Sequence, residues 1–276
     1  MKLKRGKTYQ GLFLSDVHYL LDKRIKPHHH KELFRLLDRL ARRKIKFVTI
    51  CLGGDIIENW FFDGVEMIQR NEKRFSKLFD RLDAIGASGG RKIYIVGNHD
   101  TTAFTMKLHR DVERRLLQRG WEIAEQASGD GWTAIHGHQG QYNRLTWALN
   151  VFGLRLLHLM GLLSPRAFRF AERFYDSHLN RQDPATPEEE LHFYRKLSRI
   201  SRQRDRILIC GHTHTPLCLP ELRLLNSGDW LEHRSFLLQK KRRFYGVRIA
   251  ANREWQELFH LDYKPDSQEG HGEEEV

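Results

Sequence analysis

A short apolar run followed by two glycines and a carboxylate is the feature that most constrains this chain. Residues Phe47–Cys51 are apolar and rich in β-branched side chains, which predicts a buried strand. Gly53 and Gly54 then allow a sharp turn that leaves Asp55 at the carboxyl end of the strand. In open α/β sheets, ligands bind at the carboxyl ends of the strands. The stretch therefore predicts an α/β fold with a functional edge at Asp55.

Taken alone, Asp55 is better explained as a turn or helix-cap residue, but four other predicted strands also end in metal-ligand side chains. Those strands are Tyr9–Leu14, Lys92–Val96, Trp132–Ile135 and Ile207–Cys210. The side chains that follow them are Asp16 and His18, Asn98 and His99, His136 and His138, and His212 and His214. Residues two apart in extended backbone share a face, so Asp16 and His18 can reach one ion together. The recurrence favours a metal site over five unrelated turns.

Amphipathic helices are predicted between these strands. They cover about residues 28–43 and 65–85, and a third contains Leu108, Val112 and Leu116. Three consecutive histidines, His28–His30, open the first helix. Neighbouring residues on a helix point in different directions. We therefore expect a solvated helix start there and no metal site.

The composition indicates a soluble globular protein. Of the 276 residues, 40% are hydrophobic and 30% are charged, and no apolar stretch reaches the ~18 residues of a membrane span. The basic N-terminus is not followed by the apolar core of a signal peptide. Cys51 and Cys210 lie in apolar strands, so we expect reduced thiols and a cytoplasmic protein. The net charge of +12 favours an anionic partner, which can be a phosphate ester, nucleic acid or an acidic membrane face.

The segment 142–204 interrupts the alternation and is predicted to be a helical insertion, or lid. Its first half is crowded with leucines, yet Arg155 and His158 interrupt it too often for a membrane span. Thr186–Glu189 carries a capping-box threonine and a proline at the first helical position, which predicts a further helix. We expect one domain over residues 1–264 that contains this insertion. The acidic residues 265–276 are predicted to be a disordered tail.

The side chains of the insertion have two interpretations, and the sequence favours neither over the other. The apolar ones can line a groove for acyl chains, each buried CH₂ contributing ~0.8 kcal/mol, while the arginines meet phosphates or an anionic membrane surface. Alternatively, the helices bury their own core and the arginines are merely solvated. The candidate substrate-binding residues are Arg144, Trp147, Arg155, Leu156 and Leu159, with Arg166, Arg169 and Arg173 as further cations.

The candidate ligands suit two divalent ions, because seven are too many for one. They are Asp16, His18, Asp55, Asn98, His136, His212 and His214. Imidazole and carboxylate without thiolate fit manganese, iron, zinc and related ions. Two ions ~3.5–4 Å apart can clamp the attacking and leaving oxygens of a phosphoryl displacement and supply hydroxide near neutral pH. The set therefore suits a phosphoryl displacement by metal-activated hydroxide.

Five motifs built from these residues resemble, in the same order, the five blocks of the calcineurin-like metallophosphoesterases. The motifs are Asp16-x-His18, Gly54-Asp55, Gly97-Asn98-His99-Asp100, His136-Gly137 and Gly211-His212-x-His214. The resemblance covers about Tyr9–Trp230. It implies a four-layer αββα sandwich, with two β-sheets face to face and helices outside. It also implies a dinuclear metal centre with a bridging hydroxide that attacks the phosphorus of a phosphate ester or pyrophosphate bond.

The resemblance also implies how the ligands are shared. Asp16, His18, Asp55 and His214 would hold one ion, and Asp55 as the bridge would hold the other with Asn98, His136 and His212. We expect manganese, with iron, zinc, cobalt and nickel as alternatives.

Two further residues receive roles from the same resemblance. His99 matches a histidine that does not bind metal but stabilises or protonates the leaving group, and Glu58 stands where the phosphatases of the family place the acid that orients it. His138 is expected to be a supporting residue beside the metals, with a ligand or substrate contact as the alternatives.

Two stretches are similar to those of UDP-2,3-diacylglucosamine diphosphatases, which act in lipid A biosynthesis. They are residues 54–60, which match a Gly-Asp-φ-φ-Glu-x-Trp pattern, and residues 226–230, Asn-Ser-Gly-Asp-Trp. Those enzymes cleave a pyrophosphate bond to release UMP and a diacylated sugar phosphate, and they carry a helical insertion between the fourth and fifth blocks. The similarity implies a nucleotide-sugar lipid substrate and a peripheral location at the inner membrane face. One position differs, because the best-known members have arginine where this chain has His99.

Another class of function competes with this one. The pI of 9.7 and the many arginines favour a nucleic-acid enzyme or binder. The lack of a known nucleic-acid motif and the apolar insertion weigh against it. A scaffold without metals is disfavoured because no ligand position has been lost. The basic run Lys240–Arg243 is predicted to be a solvated hairpin turn.

Overall fold

The computed structural model describes residues 3–20, 28–59, 72–101, 107–140, 153, 187–200 and 206–263. Within these ranges the strands are β1 (Thr8–Leu14), β2 (Lys46–Gly53), β3 (Gly86–Ile95), β4 (Glu122–Ala124), β5 (Gln126–Gly129), β6 (Trp132–Ile135), β7 (Ile207–Cys210), β8 (Leu217–Leu219), β9 (Leu224–Asn226), β10 (Ser235–Lys240), β11 (Arg243–Ile249) and β12 (Trp255–Asp262). The helices are α1 (His30–Arg42), α2 (Glu72–Asp83), α3 (Arg110–Gln118) and α4 (Pro187–Ile200).

The strands form two sheets. The first has the order β12-β11-β10-β1-β2-β3-β4 and the second the order β5-β6-β7-β9-β8. In the first sheet β1, β2 and β3 run parallel, and their last residues face one another: Leu14 pairs with Leu52, and Gly53 pairs with Ile95. In the second sheet β6, β7 and β9 are likewise parallel. Parallel strands that end together deliver the loops after them to one edge.

The two sheets pack face to face through an apolar layer. Phe13 of β1 meets Trp132 of β6 edge-on, with ring centroids 5.1 Å apart, and Phe244 of β11 lies 5.9 Å from Phe13. The other members of this layer come from both sheets: Cys51, Ile93, Ile95, Ala134, Ile207, Ile209, Leu225 and Leu237.

Helices cover the outer faces of both sheets. The apolar stripe of α1 is buried in a core with β1, β2 and the apolar faces of α2 and α3, because leucine recurs along it at helical spacing. On the other side Tyr194 and Leu197 of α4 pack on Ile135, Leu208 and Leu224. The predicted four-layer αββα sandwich is confirmed.

Several predicted elements are confirmed closely. Strands β6 and β7 have the predicted bounds, and α4 begins at Pro187, the predicted first helical position. The turn between β10 and β11 exposes Lys240–Arg243, as expected of a solvated hairpin.

Two local predictions were wrong. The strand predicted to begin at Lys92 begins at Gly86, so Gly89 and Gly90 lie inside β3, at a shift in its pairing with β2. Gly89 has φ +69°, and a Cβ on Gly90 would lie 2.6 Å from the Val48 carbonyl oxygen. The expected solvated start of the first helix is contradicted by His30, which is buried and hydrogen-bonded to the Val17 carbonyl oxygen at 2.7 Å.

Five strands were not individually predicted: β4, β5, β8, β9 and β12. The first four have three or four residues each, too few to show a period of two. The last is an edge strand whose residues are all exposed or half-buried, although Phe259 and Leu261 pack against the layer between the sheets.

Most of the predicted insertion and the acidic tail lie outside the described residues. Only residue 153 and helix α4 of the insertion are described. In the described part of the chain, no helix is both long enough and apolar enough to cross a bilayer.

We expect the layer between the sheets to carry much of the stability. Phe13→Ala removes a ring that contacts aromatic side chains of both sheets and should lower the free energy of unfolding by ~3–5 kcal/mol, measured by urea denaturation. Val48→Ala, at a strand position 47% exposed, is the control and should change it by less than about 0.5 kcal/mol. Equal effects of the two substitutions would show that this ring does not join the sheets.

Candidate metal centre and catalytic residues

The loops after the parallel strands bring the predicted ligands into two groups. The ligand atoms of Asp16, His18 and His214 lie within 4.8 Å of one another. Those of Asp55, His136 and His212 form a second group within the same limit.

Direct contacts join these groups to each other and to Asn98. His136 Nε2 lies 3.0 Å from Asp55 Oδ2 and 3.1 Å from Asn98 Oδ1. The His212 backbone N–H donates to the Asp16 carboxylate at 3.1–3.2 Å. All seven predicted ligands are thus assembled at one edge of the sandwich, and all but His214 are buried.

Five of these seven residues have backbone angles that side chains rarely adopt. The φ angle is positive at Asp16 (50°), His18 (45°), Asp55 (53°), His212 (74°) and His214 (63°). Such positions cost on the order of 1–3 kcal/mol each and persist when the surrounding structure enforces them. Their concentration here indicates that the loops are shaped by the site.

The motif glycines are needed for close approach more than for flexibility. Gly54 and Gly137 have positive φ angles, 92° and 126°, and a Cβ on Gly54 would lie 2.5 Å from the His136 ring. At Gly97 and Gly211 a Cβ would collide with the carboxylates of Asp55 and Asp16. The sequence predicts that Gly54 turns the backbone, whereas the structure shows that Gly54, Gly97 and Gly211 each make room for the side chain of a candidate ligand.

Hydrogen bonds at Nδ1 orient two of the imidazoles. His136 Nδ1 donates to the Gly53 carbonyl oxygen at 2.9 Å, and His18 Nδ1 donates to Glu58 Oε2 at 2.7 Å. A histidine that donates from one ring nitrogen presents the lone pair of the other to a metal. His18 Nε2 is buried and makes no hydrogen bond within the described residues.

Glu58 is shared by two histidines. Its carboxylate lies 3.0–3.1 Å from His99 Nδ1 in addition to its contact with His18, and the three side chains are buried together. The sequence assigned Glu58 to His99 alone. The structure adds the contact with His18, a predicted metal ligand.

The pKa values of the two histidines that contact Glu58 are shifted in opposite directions. Burial lowers the pKa of His18 despite the neighbouring carboxylate, whereas the charges of Glu58 and Asp55 outweigh burial and raise the pKa of His99. Burial also opposes ionisation of Glu58, but the charge of His99 and the hydrogen bond from His18 lower its pKa to about 2. Opposite shifts in neighbouring groups separate acid from base roles. The shifts favour a neutral His18, the form that can bind a metal, and a protonated His99, the form that can act as an acid.

Asp100 fixes the turn that carries Asp55. Its buried carboxylate accepts hydrogen bonds from the backbone N–H groups of Asp55, Ile56, Ile57 and Gly97 at 2.8–2.9 Å, and from the Tyr94 hydroxyl at 2.6 Å. The sequence placed Asp100 in a motif but gave it no function. Its position directly after Asn98 and His99 was the available signal.

The stretch 226–230 supports the metal-binding loops. Ser227 Oγ lies 2.6 Å from Ser15 Oγ, Trp230 N–H donates to the Asp16 carbonyl oxygen at 3.1 Å, and Asp229 Oδ2 lies 3.6 Å from His214 Nδ1. The stretch was predicted from its similarity to one branch of a family, without individual roles. Each of these three contacts reaches the loop of a predicted ligand.

His138 lies beside the centre. Its ring centroid is 5.5 Å from that of His136 and 6.4 Å from that of His212, but it belongs to neither ligand group. Burial, with the charge of His136, lowers its pKa to about 3. The predicted substrate-binding residues Arg144, Trp147, Arg155, Leu156 and Leu159 lie outside the described residues.

Comparison with known proteins agrees with the motifs. The family model of the calcineurin-like phosphoesterases matches residues 12–216. The chain belongs to this family. It is therefore a metal-dependent phosphoester hydrolase.

Two solved structures resemble this phosphoesterase. A dimetal phosphatase from Danio rerio is 12% identical, with a TM-score of 0.46, and the match covers 93% of this chain and 99% of that one. A conserved uncharacterized protein from Streptococcus pneumoniae TIGR4, described as a predicted phosphoesterase, is 13% identical, with a TM-score of 0.39, and the match covers 92% and 98%. A search of curated proteins finds no significant match.

The residues present fit the two ions that the family requires. The buried Nε2 atom of His18 lacks a partner within the described residues and faces a group that includes a carboxylate. In the second group, the charge of Asp55 outweighs burial and raises the pKa of His136 to about 9. A divalent cation held by these two side chains would supply the positive charge that the imidazolium proton supplies without it. Which residue bridges the ions stays a prediction, as do the individual ligand roles.

We expect two divalent ions per chain at saturation, because six of the predicted ligands lie in two groups of three and Asn98 contacts the second group. Elemental analysis after metal loading and desalting measures the number. Asp55→Ala should lower metal content most among the ligands, since the family resemblance makes this carboxylate the bridge. The control is Asp262→Ala, which removes an exposed carboxylate paired with Arg243. One ion per chain with full activity would contradict the prediction.

We expect Glu58→Gln to impair both metal binding and turnover. A glutamine carries no negative charge, and its NH₂ group would replace one of the two acceptor oxygens that lie 2.7–3.1 Å from the His18 and His99 Nδ1 atoms, so it should hold the two imidazoles less well. His99→Ala should instead lower kcat by ~10²–10⁴ with metal content near that of the wild type, as expected of a general acid. Metal content by elemental analysis and kcat on a soluble phosphodiester are the two measurements.

The matched control for Glu58→Gln is Glu257→Gln, which alters an exposed glutamate 3.1 Å from His260. If Glu58→Gln lowers only kcat, the contact with His18 is unimportant. If His99→Ala removes a metal, His99 is a ligand and its assignment as the acid is wrong.

Proposed function

We propose that this phosphoesterase hydrolyses a pyrophosphate bond in a nucleotide-sugar lipid similar to UDP-2,3-diacylglucosamine. The single observation that carries the reaction class is the meeting of two ligand groups with the His99–Glu58 pair at one edge of the sandwich. The proposed substrate depends on the resemblance of residues 54–60 and on the apolar and basic side chains of the insertion.

Seven side chains are proposed to hold the ions. Asp16, His18, Asp55 and His214 would hold one, and Asp55, Asn98, His136 and His212 the other. Divalent ions in such a pair activate water and neutralise phosphoryl charge, and manganese is the ion we propose.

His99 is proposed to give its proton to the leaving oxygen. Glu58 occupies Nδ1, so the proton available for transfer is the one on Nε2. The charges of Glu58 and Asp55 raise the pKa of His99 against burial, which favours the charged imidazolium that a general acid needs. The adjoining loops are held together by the His99 backbone N–H, which donates to Asp55 Oδ1 at 2.8 Å.

The residues proposed to recognise the lipid are different from those proposed to carry out the hydrolysis. Residues 226–230 act on the metal-binding loops, which accounts for them without a lipid. The acyl groove therefore depends on the insertion, where Leu156 and Leu159 would contact acyl chains and Arg144 and Arg155 the phosphates. A lipid substrate also implies peripheral binding to an anionic membrane face on the cytoplasmic side.

A second candidate is a general phosphomonoesterase or phosphodiesterase, including a nuclease. The observation that favours it is the His99–Glu58 pair itself. An alkoxide leaving group needs a proton, whereas the phosphate released from a pyrophosphate is a better leaving group and gains less from general acid catalysis.

A substrate panel separates the candidates. Metal-stripped protein reloaded with Mn²⁺ is assayed on UDP-diacylglucosamine, a nitrophenyl phosphodiester and single-stranded DNA. If the first proposal is correct, kcat/KM should be highest on the nucleotide-sugar lipid, and UMP should be a product. Preference for either of the other two substrates would replace it with the second candidate.

We expect polar substitutions in the insertion to separate lipid recognition from chemistry. Leu156→Gln or Leu159→Gln should raise KM for the diacylated substrate and leave turnover of the nitrophenyl phosphodiester nearly unchanged, because the metal ligands and His99 are untouched. Thermal melting is recorded alongside. If the insertion only buries its own core, both activities should fall together with the melting temperature.

A further inference from the structure

The last helix of the insertion is hydrogen-bonded to a turn that carries two predicted metal ligands. Tyr194 lies on α4, and its hydroxyl is 2.7 Å from Thr213 Oγ1. Thr213 stands between His212 and His214, one from each ligand group. Tyr194 and Thr213 are 0% and 2% exposed, so the bond is shielded from water.

Asn226 completes a small network around this bond. Its side-chain N–H groups point at the Gly211 carbonyl oxygen and at Thr213 Oγ1, both at 2.9 Å, and at the Tyr194 hydroxyl at 3.2 Å. Its oxygen accepts from Gly228 N–H at 2.8 Å. Asn226 has two side-chain hydrogens for three acceptors, so the Tyr194 and Thr213 hydroxyls depend on each other.

The turn needs such support. His212 and His214 both have positive φ, and strained residues of this kind persist only where surrounding contacts hold them. Neighbouring Phe193 packs against the same region, with a ring centroid 6.3 Å from that of His212. Helix α4 therefore touches the turn through one apolar and one polar contact.

We propose that Tyr194 is a positioning residue for the metal centre, through which the end of the insertion sets the metal affinity of the Gly211–His214 turn. This inference rests on the proposed roles of His212 and His214 as ligands. Residues that orient metal ligands typically change metal affinity by 10–100-fold when they are removed. A phenylalanine at position 194 would keep the packing and lose only the hydroxyl, so the effect belongs to the hydrogen bond.

The test is a titration of metal-stripped protein with Co²⁺, followed by the visible absorption of the bound ion. Tyr194→Phe and Thr213→Val should each raise the dissociation constant by about 10-fold. The double variant should be little worse than the single ones, because both remove the same bond. Thr213→Ser keeps a hydroxyl and should retain affinity near that of the wild type.

The matched control is Tyr9→Phe. Tyr9 is also buried, and its hydroxyl accepts from the Lys4 backbone N–H at 2.8 Å, at the opposite end of β1 from Asp16. It should leave Co²⁺ affinity and the absorption spectrum unchanged. Melting of the metal-free proteins separates lost affinity from lost folding.

Two outcomes would overturn the proposal. One is a change of less than 2-fold in Co²⁺ affinity for Tyr194→Phe. The other is a loss that Tyr9→Phe or Thr213→Ser reproduces. His214→Ala distinguishes this failure from that of the proposed function: if it leaves Co²⁺ binding unchanged, the ligand assignment itself is wrong, whatever Tyr194 does.

Discussion

One buried carboxylate, that of Asp100, holds together the loops on which the metal centre depends. It joins the turn after β2 to the turn after β3. The carboxylate accepts hydrogen bonds from three consecutive backbone N–H groups of the turn after β2 and from one backbone N–H group of the turn after β3. Unpaired backbone N–H groups in a buried turn are costly, and a carboxylate satisfies several at once. Burial and the nearby Asp55 charge raise the pKa of Asp100 to about 7 in spite of these bonds. The arrangement fixes the position of Asp55 before any ion binds.

The charges of the site explain why it requires cations. Asp16, Asp55 and Glu58 are buried together with four histidines. Burial works against each ionised carboxylate, and neighbouring imidazoles lower the pKa of all three carboxyls in the absence of metal. Bound divalent ions would supply full positive charges in place of the imidazolium protons, and these protons would be released on binding. Metal binding and the folded geometry of these loops are therefore linked.

Hydrogen bonds and ion pairs from surrounding residues hold the candidate ligands in place. The His30 ring donates a hydrogen bond to the carbonyl of Val17, which stands between the predicted ligands Asp16 and His18 in the sequence. Residues 226–230 contact the loops of Asp16 and His214. The Glu58 carboxylate contacts both His18 and His99. Several of these supports come from segments distant in sequence. The insertion takes part through Tyr194, so the segment proposed to recognise substrate is bonded to the turn proposed to bind metal.

The sequence by itself determined the fold class and the strands that carry the candidate site, and it predicted which side chains would be the ligands. These follow from local information: an apolar run predicts a buried strand, and a glycine next to aspartate or histidine at its end predicts a ligand. It did not predict Asp100 as a cap, the second contact of Glu58, the burial of His30 or the bond of Tyr194 to Thr213. Each of these depends on which loops meet, and that is set by the register of β1, β2 and β3 and by the packing of the two sheets. Candidate ligands can be recognised from the residues next to them in the sequence. The hydrogen bonds that position those ligands join segments distant in sequence, which only the tertiary structure brings together.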